Sequence, residues 1–125
     1  MILLDTNIVI GFFNGNQAIL ERLRMGINKV ALSTLVVAEL DYGAKASHRS
    51  EENLQRLYRF VDIIEVIPFT FECARAFGTV KSKLRKLGKP TGEMDALIAA
   101  TAMSHKSTFA TLNGKHFENI EGSAN

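Results

Sequence analysis

Residues 1–10, MILLDTNIVI, place an aspartate, a threonine and an asparagine directly after three apolar residues. A short continuous apolar run is typical of a parallel strand that is covered on both faces. Asp5 would then stand at the carboxyl end of that strand, the edge at which open α/β sheets bind ligands. The alternative is that Asp5 or Thr6 only caps a helix starting at Asn7, because a side-chain oxygen there accepts an orphan backbone N–H.

Apolar patterns of helical and strand type alternate along the rest of the chain. The predicted helices cover residues 16–25, 34–46, at least 54–60, 71–87 and 93–105, and the predicted strands cover 2–4, 30–32, 63–67 and 109–111. Ser33 is a plausible helix N-cap, and Gly26 and Gly88 close helices as C-terminal glycines do. Strands that alternate with helices indicate parallel pairing through right-handed crossovers. We therefore expect a single α/β domain spanning residues 1–125, a three-layer α/β/α sandwich around a short parallel sheet.

The composition is that of an ordinary soluble globular protein, with 46% hydrophobic and 22% charged residues. No segment approaches the ~18 apolar residues of a membrane span, and the start of the chain lacks the features of a signal peptide. We therefore expect a cytoplasmic protein without membrane contact. The lone Cys73 lies in an apolar helical stretch, which predicts a buried thiol without chemistry. A net charge of +2 is too small to indicate a polyanionic partner by itself.

Two acids lie on helix faces that are otherwise apolar. Glu39 has apolar neighbours or glycine three and four residues away, namely Leu35, Val36, Tyr42 and Gly43. Asp95 shares its face with Ile98, Ala99 and Ala102. Asp41 differs, because Lys45 at i+4 predicts an ordinary solvated ion pair. For Asp95 the alternative is that it complements the helix dipole from the first turn, as Glu93 does.

The carboxyl edge of the predicted sheet could gather Asp5, Glu39 and Asp95 into one pocket. Converging carboxylates repel one another unless a cation holds them together. Mg²⁺ prefers oxygen ligands and keeps several waters, which suits sparse carboxylates without histidine or thiolate. The three histidines show no zinc-ligand spacing. The sequence therefore favours a hard divalent cation at this edge.

A basic run precedes the segment that carries Asp95. It contains five cations and no acid, namely Lys81, Lys83, Arg85, Lys86 and Lys89. Cations near a helix C-terminus complement its dipole, so a solvated face is one explanation. The other is a ridge that binds a phosphodiester backbone beside the metal pocket, and this predicts an RNA-binding role for the five residues.

Four ordered motifs together resemble the PIN domain of VapC-type toxins: LLDTNI, SxLVVAELDYGA, GEMDALIAATA and TLNGKHF. The resemblance covers essentially the whole chain. It implies a ribonuclease that uses Mg²⁺ or Mn²⁺ and cuts structured RNA, often tRNA or rRNA, with Asp5, Glu39 and Asp95 at the acidic metal-site positions. It also implies a homodimer that is neutralised by an antitoxin encoded beside it, whose tail lies across the toxin's groove.

The chain departs from the family pattern after the last predicted strand. Many members have a fourth acid there, whereas this chain has Asn113 and, three residues on, His116. Asn113 can ligate through its carbonyl or hold a metal-bound water, and the alternative is a tight turn at Asn113 and Gly114. We expect Thr6 and Thr111 to hydrogen-bond to the metal ligands.

The mechanism that we expect is hydrolysis without a protein base, in which the metal supplies an activated water for in-line attack at phosphorus and stabilises the leaving 3′ oxygen. One alternative is a PIN-like module that has lost catalysis and binds a partner or RNA. A more distant alternative is a phosphatase or phosphotransfer domain. Such a domain typically pairs a nucleophilic aspartate with a second acid two residues later or just before the strand, and DTN has neither.

Overall fold

A four-stranded parallel sheet forms the centre of the computed structural model, which describes residues 1–88 and 92–110. The strands are β1 Ile2–Leu4, β2 Val30–Ser33, β3 Glu65–Ile67 and β4 Thr108–Ala110. Their order in the sheet is β3-β2-β1-β4, and every neighbouring pair is parallel. β1 is therefore an inner strand, as its apolar run predicts, and Leu3 and Leu4 are buried.

Six α-helices accompany these strands in the described part of the chain. They are α1 Thr6–Phe13, α2 Gln17–Gly26, α3 Thr34–Lys45, α4 Ser50–Ile63, α5 Phe71–Lys86 and α6 Glu93–Ser104, with a short 3-10 helix Ile27–Lys29 after α2. The expected three-layer α/β/α architecture is confirmed. Side-chain oxygens of Asp5, Asn16, Ser33 and Thr70 accept backbone N–H groups at the starts of α1, α2, α3 and α5.

The predicted starts of β3 and β4 differ from the structure by two residues and one residue. The segment at 54–60 belongs to the longer α4, whose last residue is Ile63, so β3 begins at Glu65 and not at residue 63. β4 begins one residue earlier than predicted, at Thr108, and Thr111 lies outside the described residues. Isoleucine and valine suit both a helix end and a strand, so apolar pattern alone does not locate such junctions.

The carboxyl edge of the sheet is where β1 and β2 pass directly into helices. Asp5 caps α1 at the end of β1, and Ser33 caps α3 at the end of β2. The Asp5 backbone N–H donates to the Ala110 carbonyl at 2.8 Å, which brings the end of β4 beside Asp5. Because α6 enters β4 through only three residues, it runs antiparallel to that strand and its first turn points toward the same edge.

Small side chains explain why α6 packs so closely into the molecule. Ala96, Ala99, Ala100 and Ala102 are fully buried, and Ile98 is nearly so. This helix also packs extensively along α5 and contacts α3. The start of α6, which carries Asp95, is therefore joined to a rigid part of the core.

Three expectations about isolated residues and segments can be compared with the structure. Cys73 is fully buried, as expected, and Asp41 forms an ion pair with Lys45 at 2.7 Å. Burial opposes ionisation of the Cys73 thiol, but hydrogen bonds from Thr70, Ser104 and Thr101 outweigh it and lower the pKa of that thiol. Among the described residues, no helix combines the length and the apolar character that a membrane span requires.

Candidate functional site

Asp5 caps α1, and its role as a metal ligand stays a prediction. It follows β1 at the carboxyl edge, and the residue is only 6% exposed. Its Oδ1 accepts the Thr6 backbone N–H at 2.7 Å, and its carbonyl accepts the N–H groups of Ile8 and Val9. The cap and the ligand interpretations therefore do not exclude each other, because one carboxylate has two oxygens and about four acceptor positions.

A short hydrogen bond connects the next residue, Thr6, to the second predicted acid. The Thr6 hydroxyl donates to Glu39 Oε1 at 2.6 Å, a length typical of an O–H group bonded to a carboxylate. Glu39 lies in the middle of α3 and is half-buried. The bond thus brings the Glu39 carboxylate to the residue that follows Asp5. The hydrogen bond expected for Thr6 is present, while the metal-binding role of Glu39 stays a prediction.

Asp95 lies in the first turn of α6, where it is half-buried. Its Oδ2 is so close to the helix N-cap that a Cβ added at Gly92 would be 3.9 Å from it. Its neighbour in the same turn, Glu93, forms an ion pair with Lys81 of α5, with 2.8 Å between Lys81 Nζ and Glu93 Oε1. This location is the one that the dipole interpretation predicts, and the role of Asp95 as a metal ligand stays a prediction.

The donors at this edge are chemically suited to a hard divalent cation, because they are carboxylate and hydroxyl oxygens. Within residues 1–88 and 92–110, no group of three or more His, Cys, Asp or Glu side chains is placed so that it could hold a metal ion. A magnesium ion does not need such a group, since one or two carboxylates with waters and a substrate phosphate suffice. Asn113, His116 and Thr111 lie outside the described residues.

The basic run on α5 does not form a single ridge. With 100° between successive residues, Lys81 and Arg85 lie on one flank of the helix, Lys83 on the other, and Lys86 on the outward face. Lys81 is already paired with Glu93. Lys89 lies outside the described residues.

The outward face of α5 carries a shallow groove that sequence reasoning missed. Arg75, Lys83 and Lys86 line it together with Gly78, Thr79 and Ser82. Arg75 was overlooked because it stands outside the contiguous basic run. The signal was nevertheless available, since Arg75 precedes Lys86 by eleven residues, or three helical turns, and so shares its face.

A second groove, of about 240 Å³, lies between α1, α3 and α4. Its lining is mainly apolar and includes Ile10, Phe13, Leu40 and Leu57, while Glu39 lies among its polar residues. Sequence reasoning had not located this groove, because it depends on how three helices pack.

Arg56 is held in a defined position at this groove. Its guanidinium donates to the Phe13 carbonyl at 3.1 Å and to Asn53 Oδ1 at 2.9 Å. It also lies 5.1 Å from the centroid of the Phe13 ring, within the range of a cation–π contact. The second groove thus presents an apolar floor, an ordered cation and the Glu39 carboxylate.

Curated relatives of the chain are ribonucleases. It is 34% identical to "Ribonuclease VapC2" of Rickettsia felis over 122 residues, which are 94% of this chain and 90% of that protein. It is 33% identical to "tRNA(fMet)-specific endonuclease VapC" of Shigella flexneri, with 96% of this chain and 92% of that protein covered.

Solved structures of toxin–antitoxin complexes share the fold. VapBC2 from Rickettsia felis, bound to a DNA fragment from its promoter, matches with a TM-score of 0.91 and 30% identity over 99% of this chain and 96% of that chain. DNA-bound VapBC from Salmonella typhimurium matches with a TM-score of 0.92 and 31% identity over 98% and 94%. The profile of the PIN domain matches residues 2–122. The chain therefore belongs to the PIN-domain family and, within it, to the VapC-type ribonucleases.

Proposed function

We propose that this protein is a Mg²⁺- or Mn²⁺-dependent endoribonuclease that hydrolyses structured RNA and acts as the toxin of a toxin–antitoxin pair. The observation that carries the proposal is the arrangement of Asp5 and Glu39. Asp5 is a buried residue at the end of β1, and the hydroxyl of the next residue, Thr6, donates to Glu39 Oε1 at 2.6 Å. Carboxylate oxygens held in place at the carboxyl edge of a parallel sheet are suitable ligands for a hard divalent cation.

The residues at the edge divide into ligands and groups that orient them. Asp5, Glu39 and Asp95 are the proposed ligands, with Asn113 completing the site. Because the three acids are not placed as a metal-binding group in the structure, their carboxylates would have to approach one another when the ion binds. Thr6 restricts the rotamer of Glu39, and α1 capping restricts that of Asp5. The bound ion would supply an activated water and charge stabilisation for in-line hydrolysis at phosphorus.

The RNA would reach this edge along basic side chains. Arg75, Lys83 and Lys86 line the outward groove of α5, and cations that contact phosphates release counterions and favour binding. We propose tRNA as the first substrate to test, because the relative from Shigella flexneri is named a tRNA(fMet)-specific endonuclease.

The groove between α1, α3 and α4 is a suitable surface for the antitoxin. Its apolar lining would bury hydrophobic side chains of a helical or extended segment, and Arg56 would pair with an acid at the rim. Because Glu39 lies in the same groove, a bound segment would reach the candidate site. Structures of related toxins with antitoxins support such a partner, and we propose a homodimer as the toxin's own assembly.

Expression of three variants tests the proposal in cells. RNA ends would be mapped after inducing the parent, Asp5→Asn and Asp41→Asn. The last is a matched control, because Asp41 is an acid of α3 that is bonded to Lys45 and to the Tyr58 hydroxyl of α4, neither of which belongs to the candidate site. We expect growth arrest and new RNA ends with the parent and with Asp41→Asn, and neither with Asp5→Asn. The same new ends with Asp5→Asn would contradict the proposal and favour a binding module.

A further inference from the structure

We propose that Lys81 is a positioning residue, which holds the first turn of α6, and with it Asp95, through the ion pair with Glu93. This inference rests on the proposed function, since it assumes that Asp95 binds the metal. It assigns Lys81 a different role from the RNA contact that the basic run suggests.

The ion pair joins two elements that meet near the candidate site. Lys81 Nζ is 2.8 Å from Glu93 Oε1, and Glu93 is the first residue of α6, two positions before Asp95. The Lys81 side chain is 35% exposed, so its stem packs along the protein while its ammonium faces Glu93. The pair of Lys45 with Asp41 differs, because both of its residues lie in α3, one turn apart. The bond from Asp41 to a second element, α4, comes from the Tyr58 hydroxyl and not from Lys45.

The start of α6 has particular need of such a tether. In α1, α2, α3 and α5 a side-chain oxygen accepts a backbone N–H of the first turn, whereas the N-cap of α6 is Gly92, which has no side chain. Glycine is also the residue with the largest backbone freedom to lose on folding. The N-cap of α4, Arg49, also makes no side-chain cap hydrogen bond. The first turns of α4 and α6 are therefore more prone to fray than those of α1, α2, α3 and α5, and at α6 the Lys81–Glu93 pair opposes this.

The geometry of α5 separates Lys81 from the cations of the outward groove. Lys83 and Lys86 line that groove together with Arg75, and Lys81 does not. Lys81 lies on the flank that meets the start of α6. An RNA that contacted Lys81 would have to compete with Glu93 for its ammonium.

The test is Mn²⁺ binding to the full chain, measured by electron paramagnetic resonance without RNA, for the parent, Lys81→Met and Lys81→Met with Gly92→Ser. We expect Lys81→Met to weaken Mn²⁺ binding about two- to fivefold, the range of a partly exposed ion pair. Gly92→Ser adds a capping hydroxyl, and a side chain fits there, since the nearest atom to an added Cβ is 3.9 Å away. It should restore most of the lost affinity.

Lys45→Met is the matched control, because it removes one cation and one ion pair of similar length, and we expect its Mn²⁺ affinity to equal the parent's. The KM for RNA cleavage at saturating Mn²⁺ and its salt dependence would be measured for the same proteins. Under the proposal Lys81→Met keeps the parent's KM for RNA and its salt dependence. A raised KM with a flatter salt dependence, unchanged Mn²⁺ affinity and no effect of Gly92→Ser would make Lys81 an RNA contact and overturn the proposal.

Failure of this inference can be told apart from failure of the proposed function. If the parent binds Mn²⁺ and cleaves RNA, and Lys81→Met binds Mn²⁺ equally well, only the positioning role is overturned. If the parent neither binds Mn²⁺ nor cleaves RNA, both are overturned.

Discussion

The Thr6 hydroxyl donates a 2.6 Å hydrogen bond to Glu39 Oε1, across 33 positions of the sequence. The bond ties the first residue of α1 to the middle of α3, two helices that begin at neighbouring strands. It therefore fixes one carboxylate of the candidate site relative to Asp5, the residue before Thr6.

Removing the Thr6 hydroxyl should affect stability and activity together. Thr6→Val keeps the shape of the side chain but leaves Glu39 without this donor, and a hydrogen bond to a charged, half-buried group contributes about 1 to 2 kcal/mol. We expect that loss in urea unfolding with chelator present, and a clear fall in RNA cleavage. Thr6→Ser is the control and should retain most of both. Equal stability and equal RNA cleavage of the Val and Ser variants would contradict a role for this hydrogen bond in orienting Glu39.

Asp95→Asn separates a metal ligand from a residue that only complements the helix dipole. If Asp95 only complements the helix dipole, the free energy of unfolding of the metal-free variant falls by roughly 0.3 to 1 kcal/mol and the variant melts below the parent. If Asp95 belongs to a cluster of carboxylates, its neutralisation relieves repulsion, so the metal-free variant melts at or above the parent's temperature. We expect the second result.

Melts with excess Mg²⁺ or Mn²⁺ complete that comparison. A ligand that binds only the folded state stabilises it, so metal should raise the melting temperature of the parent more than that of Asp95→Asn. A chelated variant that melts well below the parent, with equal gains from metal in both proteins, would identify Asp95 as a dipole complement only.

Alanine at Gly43 should stabilise the protein. Gly43 lies inside α3, and an added Cβ meets no atom within 4 Å, so the gain is the helix preference of alanine, about 0.5 to 1 kcal/mol. Gly11→Ala, inside α1, is the contrasting variant, because its Cβ would be 2.5 Å from Cδ1 of the buried Ile19. We expect urea unfolding to show a gain for Gly43→Ala and a smaller gain or a loss for Gly11→Ala. The reverse order would mean that the helix packing described for α1 or α3 is wrong.

Neutralising Lys83 and Lys86 together should weaken RNA binding and flatten its salt dependence. Each lost phosphate contact lowers the slope of log K against log salt concentration by about 0.7 to 0.9. Lys29→Gln is the control, since Lys29 immediately precedes β2 and thus lies at the opposite edge of the sheet. Filter binding to tRNA at several salt concentrations measures the slope. An unchanged slope for the double variant would make these lysines a solvated surface.

The sequence predicts the fold well because its apolar patterns are local and regular. The buried run before Asp5 identified the inner strand, and Ser33 identified the start of α3. The junction at Ile63 was misassigned because isoleucine suits both the end of a helix and a strand.

The site was less accessible to sequence reasoning, because side-chain pairing depends on tertiary packing. Glu39 was recognisable as an acid on an apolar face, but the pairing of Lys81 with Glu93 was not, since the basic run gave its five cations the same weight. Arg75 was missed because one face of a helix collects residues that are far apart in the sequence. A search for contiguous cations therefore does not include it.

The products of RNA cleavage by the purified protein test the central claim most directly. The parent and Asp5→Asn would be incubated with tRNA in chelator, Mg²⁺ or Mn²⁺, and the new ends analysed chemically. We expect the parent to cut only with metal and to leave 5′-phosphate and 3′-hydroxyl ends, because water is the proposed nucleophile. Asp5→Asn should be inactive. Cutting in chelator, cyclic 2′,3′-phosphate ends, or equal activity of Asp5→Asn would contradict a metal-dependent hydrolase centred on Asp5.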